Sequence, residues 1–96
     1  MTLRYLEAAR IEFEAAVQHY DGQRSGLGTR FQNTVLAVVN QIIRFPESGS
    51  VLEGEYRRCL IKKFPFGVIY RNSPDEIVIV SVSDLRRKPG HWKGRA

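Results

Sequence analysis

Residues 76–82, Glu-Ile-Val-Ile-Val-Ser-Val, constrain the fold more than any other stretch of this 96-residue chain. Five of the seven are valine or isoleucine, and they fall on both alternating sides of an extended backbone. A strand with one solvated face would alternate apolar with polar, whereas a nearly continuous apolar run marks a central strand buried on both faces. A chain of this length forms one domain around one core, so residues 1–96 are assigned to a single unit.

The rest of the chain supplies what that strand packs with. Thr2–Leu6 alternates enough for a short strand. From Glu7 the period changes, and Ala9, Phe13, Ala16, Val17 and Tyr20 share one helical face until Asp21-Gly22 stops the helix. After Ser25-Gly26-Leu27-Gly28, a second helix carries Leu27, Phe31, Val35, Val38, Ile42 and Phe45 at steps of four and three. Phe45-Pro46 ends it, because a residue before proline avoids the helical region. Leu36, Val39 and Ile43 form a second apolar row, either buried or lent to a partner, which makes a homodimer conceivable. The short link between the helices predicts an antiparallel hairpin. Glu47–Gly54 reads as a polar loop. Tyr56–Phe64, Phe66–Arg71 and Glu76–Val82 then follow as strands joined too tightly for parallel crossovers, and so form an antiparallel meander. The predicted fold is α+β, in the order β-α-α-β-β-β. A helical hairpin covers one face of a small, mainly antiparallel sheet, and the first strand joins its edge.

Charge is distributed unevenly. The formal net charge is +5, and residues 51–96 hold ten basic and five acidic side chains while residues 1–50 balance five against five. The surplus suits an anionic partner bound through the C-terminal half, or a protein that is simply basic. No apolar run approaches the roughly 18 residues of a membrane span, and the N-terminus lacks a secretory pattern. Cytoplasmic location without membrane association is expected. Cys59, the single cysteine, excludes an internal disulfide and reads as a structural thiol. No ligand set for a metal is visible in the sequence.

Two basic clusters stand out. Arg57, Arg58, Lys62 and Lys63 flank Cys59-Leu60-Ile61 on one predicted strand, with Arg57 and Lys63 on one face and Arg58 and Lys62 on the other. Arg86-Arg87-Lys88, then His91-Trp92-Lys93 and Arg95, follow the central strand. In a meander both clusters can line one surface. They suit a phosphate backbone, an acidic peptide, or an edge guarded by charge against aggregation. Trp92 either caps the core or stacks on a base, and His91 is either a surface residue or an acid–base group.

The run Arg57-Arg58, Lys63-Phe64-Pro65-Phe66, Val68-Ile69-Tyr70-Arg71, Ile77–Val82, Arg86-Arg87-Lys88-Pro89, Trp92 and Arg95 resembles the RelE/ParE superfamily of type II toxin–antitoxin toxins. Ala9, Glu12, Phe13, Ala16, Tyr20, Gly26-Leu27-Gly28, Phe31 and Phe45-Pro46 resemble its helical hairpin. The resemblance implies a growth-inhibiting toxin, free of cofactor and metal, and neutralised by a cognate antitoxin. A partner segment both acidic and apolar, folding as it binds, suits the surface described above.

The superfamily divides by target. ParE-like members act on DNA gyrase, and RelE-like members cut messenger RNA on the ribosome. For the second activity the resemblance implies Lys62, Lys63, Arg86, Arg87 and His91. Yet Gly67 stands where RelE-like members often place an arginine, and Trp92, which has no titratable proton, stands near the place of their C-terminal tyrosine. The Lys-Phe-Pro-Phe element and the Arg-Arg-x-Pro-x-x-Trp pattern resemble the ParE side. On that side, target or antitoxin binding is expected at Arg57, Arg58, Lys62, Lys63, Arg71, Arg86, Arg87, Trp92 and Arg95.

Overall fold

In the computed structural model, which describes residues 2–95, β5 (Glu76–Asp84) is the strand around which the rest assembles. Its neighbours are β1 (Thr2–Tyr5), parallel to it, and β4 (Phe66–Asn72), antiparallel. Beyond β4 lie β3 (Tyr56–Leu60) and β2 (Ser50–Glu53), giving the order β1-β5-β4-β3-β2. Ile77 to Ser83 are all buried, as the apolar run predicts. Between β1 and β2 the chain forms the hairpin of α1 (Glu7–Gln23) and α2 (Leu27–Arg44).

The hairpin packs on the sheet face that carries Val68, Tyr70, Ile77, Ile79 and Val82. From α1 come Ala9, Ala16 and Tyr20, and from α2 come Phe31, Val35, Val39 and Ile42. Phe64 and Phe66 reach up into the hairpin. Phe31 meets them edge-on, with centroids 5.1 and 4.9 Å away, and Tyr20 stands 4.9 Å from Phe64. The second face of β5 is covered differently. Val78, Val80 and Ile69 lie beneath Trp92, with Tyr56, Leu52 and Leu6 around them. Both covers demanded by residues 76–82 are therefore present, one from the hairpin and one from the C-terminal segment.

Four local expectations are corrected. The segment read as a polar loop contains β2, four residues whose exposed Val51 and half-buried Leu52 were too little pattern to declare a strand. The strand read as Tyr56–Phe64 ends at Leu60, because Phe64 and Phe66 turn inward to the aromatic cluster. Helix α1 runs through Gly22 to Gln23. The chain reverses at Gly26, at φ 87°, with Asp21 accepting hydrogen bonds from the Gly26 and Gly28 amides. On α2 the buried stripe takes Val39, leaving Val38 half-buried. The second apolar row thus reduces to exposed Leu36 and Ile43, and Phe45 stands in solvent beyond the helix end.

Candidate functional site

Strand geometry gathers part of the basic residues. The C-terminal end of β3 pairs with the start of β4, which pairs with the end of β5: Leu60 faces Gly67, and Phe66 faces Asp84. The turn of residues 61–65 and the segment after Asp84 therefore emerge at one end of the sheet, joined by a hydrogen bond from the Leu85 amide to the Pro65 carbonyl at 2.8 Å. Lys62, Lys63, Arg86 and Arg87 are exposed there, with Arg58 on the neighbouring strand. Lys62 and Lys63 do not lie on the sheet as predicted, since they occupy the turn. Lys63 is held at φ 70°, a left-handed conformation that costs a residue bearing a Cβ.

Arg58 lies on the open face, opposite the hairpin. Its side chain crosses Gly67, where a Cβ would meet the arginine Cγ and Cδ at 3.1 Å. The glycine at this position thus leaves room for the neighbouring arginine. Arg58, Arg87 and Lys88 line a groove that also exposes Leu60 and Leu85 and has Trp92 in its wall. Arg86 is directed by Asp84, which accepts from its Nε at 3.0 Å and from Nη2 at 2.9 Å. That hydrogen-bonded guanidinium holds the Asp84 carboxyl below its ordinary pKa.

Other predicted residues lie elsewhere. Arg57 lies across the sheet from Arg58 and donates from Nη1 to the Glu47 and Gly49 carbonyls at 3.0 and 2.8 Å, pinning the link from α2 to β2. Arg71 is at the far end of the sheet, 3.6 Å from Glu76. Trp92 is 6% exposed and rests on Tyr56, with ring centroids 5.1 Å apart, so its ring is spent on the second core. Arg95 turns to the edge of β5 and to Glu12.

That last pairing was not foreseen. Glu12 sits off the apolar stripe of α1, where it reads as a solvated charge. In the structure it accepts two hydrogen bonds of 2.9 Å from Arg95, one of 2.9 Å from the Ser81 hydroxyl and one of 3.2 Å from the Val82 amide. Burial alone would raise its pKa, but Arg95 and Ser81 outweigh that and hold it below the ordinary value. His91 joins through a single nitrogen: Nε2 is 3.2 Å from Glu12 and 3.4 Å from Ser81. A base that relays a proton between an acid and a nucleophile uses both ring nitrogens, so this arrangement is not that of a catalytic triad. Only the Glu12 position within the family-like hairpin pattern hinted at it.

A family model described as "ParE toxin of type II toxin-antitoxin system, parDE" matches residues 3–89. Among solved structures, "Chromosomal ParDE TA system from P. aeruginosa" superposes with a TM-score of 0.77 at 17% sequence identity. The match covers 88% of this chain and 96% of that one. No curated protein matches the sequence.

Proposed function

The chain belongs to the ParE toxin family of type II toxin–antitoxin systems, and from that premise we propose that it inhibits growth by acting on DNA gyrase. The observation that carries this reading is the chemistry of the basic end. Arg58, Lys62, Lys63, Arg86 and Arg87 gather there, while Trp92, the aromatic that follows Arg86 and Arg87, is buried and has no titratable proton. Such a surface binds and orients, and the toxin acts by occupying its target.

A type II toxin is paired with a protein antitoxin. Its contact region on this chain is proposed to include the open-face groove, where exposed Leu60 and Leu85 lie beside Arg58, Arg87 and Lys88. Apolar and acidic side chains in one segment would satisfy both parts of that groove, and a segment ordering itself on contact fits its open shape. No helix among the described residues is long and apolar enough to cross a membrane. On the proposed reading the toxin works in the cytoplasm, where its target is.

One experiment separates gyrase from the ribosome. Purified toxin is added to a supercoiling and cleavage-complex assay with DNA gyrase and, in parallel, to translation of a reporter message. Inhibited supercoiling or trapped cleavage complexes with an intact message is expected. A cut message with gyrase unaffected would overturn the proposal in favour of ribosome-dependent endoribonuclease activity.

A further inference from the structure

A second groove, of about 510 Å³, opens on the hairpin side of the same sheet end, between the helices and the turn of residues 62–65. Three cations from three separate elements line it: Arg30 of α2, Lys63 of the turn, and Arg86 beyond β5. No carboxylate is among its described lining residues. Among the described residues, neither Arg30 nor Lys63 has a side-chain hydrogen bond or ion pair. Arg86 has Nε and Nη2 committed to Asp84, which fixes its plane and leaves Nη1 to donate outward. Lys63 is the one non-glycine residue among those described at positive φ, so the backbone strain is carried at a residue that lines the groove.

We propose that this groove is a phosphodiester-backbone site through which the toxin binds duplex DNA directly. Arg30 and Lys63, converging with the Asp84-bound Arg86 on a groove that no carboxylate lines, leave a field that favours an anion. Lys62 and Arg87 are the exposed chain neighbours of Lys63 and Arg86, so the charge at this end of the sheet exceeds what one small phosphate needs and suits a polymer with one charge per about 1.7 Å. Single-stranded nucleic acid would require free aromatic faces for stacking. Tyr20 and Phe64 at the groove are engaged with each other and with Phe31, and exposed Phe45 lies at the far end of α2. An apolar and acidic peptide is better served by the open-face groove, which carries the exposed leucines. The choice of duplex DNA rests on the gyrase reading, since gyrase acts on duplex DNA. The binding itself is measured without gyrase.

The test is fluorescence anisotropy of a labelled 30-base-pair duplex with the full-chain toxin, across salt concentrations. Binding whose logarithmic salt slope is about −3 or steeper is expected, each phosphate contributing about −0.9. The triple variant Arg30→Gln/Lys63→Gln/Arg86→Gln should bind at least tenfold more weakly at low salt, with the slope reduced by two to three. Circular dichroism must match the parent. Should the triple variant misfold, Arg30→Gln and Lys63→Gln alone, both at exposed positions, should each lower the slope by about one. Arg44→Gln, about 21 Å along α2 from Arg30 at 1.5 Å per residue, should leave the affinity unchanged. No binding at low salt, a slope unaltered by the groove substitutions, or an equal loss with Arg44→Gln would overturn the proposal. So would a polyglutamate of matched charge competing as well as the duplex, which would reassign the groove to an acidic peptide. A failed supercoiling assay with intact DNA binding would remove gyrase and leave the groove standing.

Discussion

Arg95 closes on Glu12 from 83 residues away with two hydrogen bonds of 2.9 Å, and the pair takes over where β1 stops. Strand β1 accompanies β5 only as far as Ile79, whose carbonyl accepts from the Leu6 amide at 3.0 Å. Past that point the edge of β5 would be open. Arg95 donates to the Val80 carbonyl at 3.1 Å, and Glu12 accepts from the Val82 amide at 3.2 Å. The register between β4 and β5 also slips here, leaving Val80 without a partner in it. Two charged side chains thus satisfy backbone groups that a strand would otherwise pair, and bar another chain from that edge. The same contact fastens the C-terminal segment, and with it Trp92, over the second face of the sheet.

Glu12→Ala is therefore expected to cost more than a surface ion pair does. Both side chains are about one-fifth exposed, and removing the carboxylate leaves Arg95 and the Val82 amide short of an acceptor. A loss of about 1–3 kcal/mol follows, against under about 1 kcal/mol for the exposed Arg10–Glu14 pair on the same helix. Urea unfolding of Glu12→Ala and Glu14→Ala measures the difference, and equal losses would show that the edge closure carries no weight.

The same carboxylate gives the fold an acid limit. Its pKa is lowered in the folded protein from an ordinary 4.5. The stabilisation is therefore fully present above about 4.5 and is lost as pH falls through the lower, folded value. Glu7, Glu76 and Asp84 are shifted in the same direction, so the difference between the parent and Glu12→Gln isolates this group. Unfolding free energies of the two should converge as pH drops from 5 towards 3. A gap that persists in acid would mean that Glu12 acts through shape and not charge.

What the sequence made legible was whatever short-range pattern decides. Residues 76–82 announced a doubly buried strand, and the helix stripes announced the hairpin, because burial there is periodic. Gathering Lys63 with Arg86 was within reach, since antiparallel strands joined by short turns bring alternate ends together. The placement of Lys63 in a turn was not, because Phe64 leaves the strand to fill space between Tyr20 and Phe31, which is a tertiary demand. Glu12 and Arg95 were invisible as a pair for a related reason. Each is an ordinary charge in its own segment, and only the early end of β1 creates the need they meet.

Trp92 offers a direct probe of the second core. Truncation by Trp92→Ala uncovers Ile69, Val78 and Val80 and should cost about 3–5 kcal/mol. Trp92→Phe, which keeps an aromatic ring against Tyr56, should recover much of that. Thermal unfolding followed by circular dichroism distinguishes this from a binding role. A Trp92→Ala protein as stable as the parent would return the ring to the list of contact residues.

The hairpin has its own tight point at Gly28. A Cβ there would meet the Val17 carbonyl oxygen at 2.5 Å and the Asp21 Cβ at 2.7 Å, atoms of a packed helix that cannot swing aside. Gly28→Ala is expected to push α1 and α2 apart and cost about 1–3 kcal/mol. Gly22→Ala lies in open space within α1, where alanine is the better helix former. It should stabilise by about 0.5–1 kcal/mol. Melting temperatures moving in opposite directions for the two variants check the helix crossing, and a shift of the same sign would contradict it.

The basic end is tested by reversing its charge. Among the described residues Arg86, which is exposed, forms its side-chain hydrogen bonds and ion pair with Asp84, and Arg87 is exposed on the groove with Arg58. Replacing both with glutamate removes little packing, so the melting temperature should move by no more than a few degrees. The local charge changes by four units, turning a surface that attracts anions into one that repels them. Arg86→Glu/Arg87→Glu should therefore abolish growth inhibition on induction while the protein remains folded and accumulates normally. Arg71→Glu, at the opposite end of the sheet and away from both grooves, should keep toxicity at equal expression. Growth arrest retained by the double variant would show that the toxin acts through another surface.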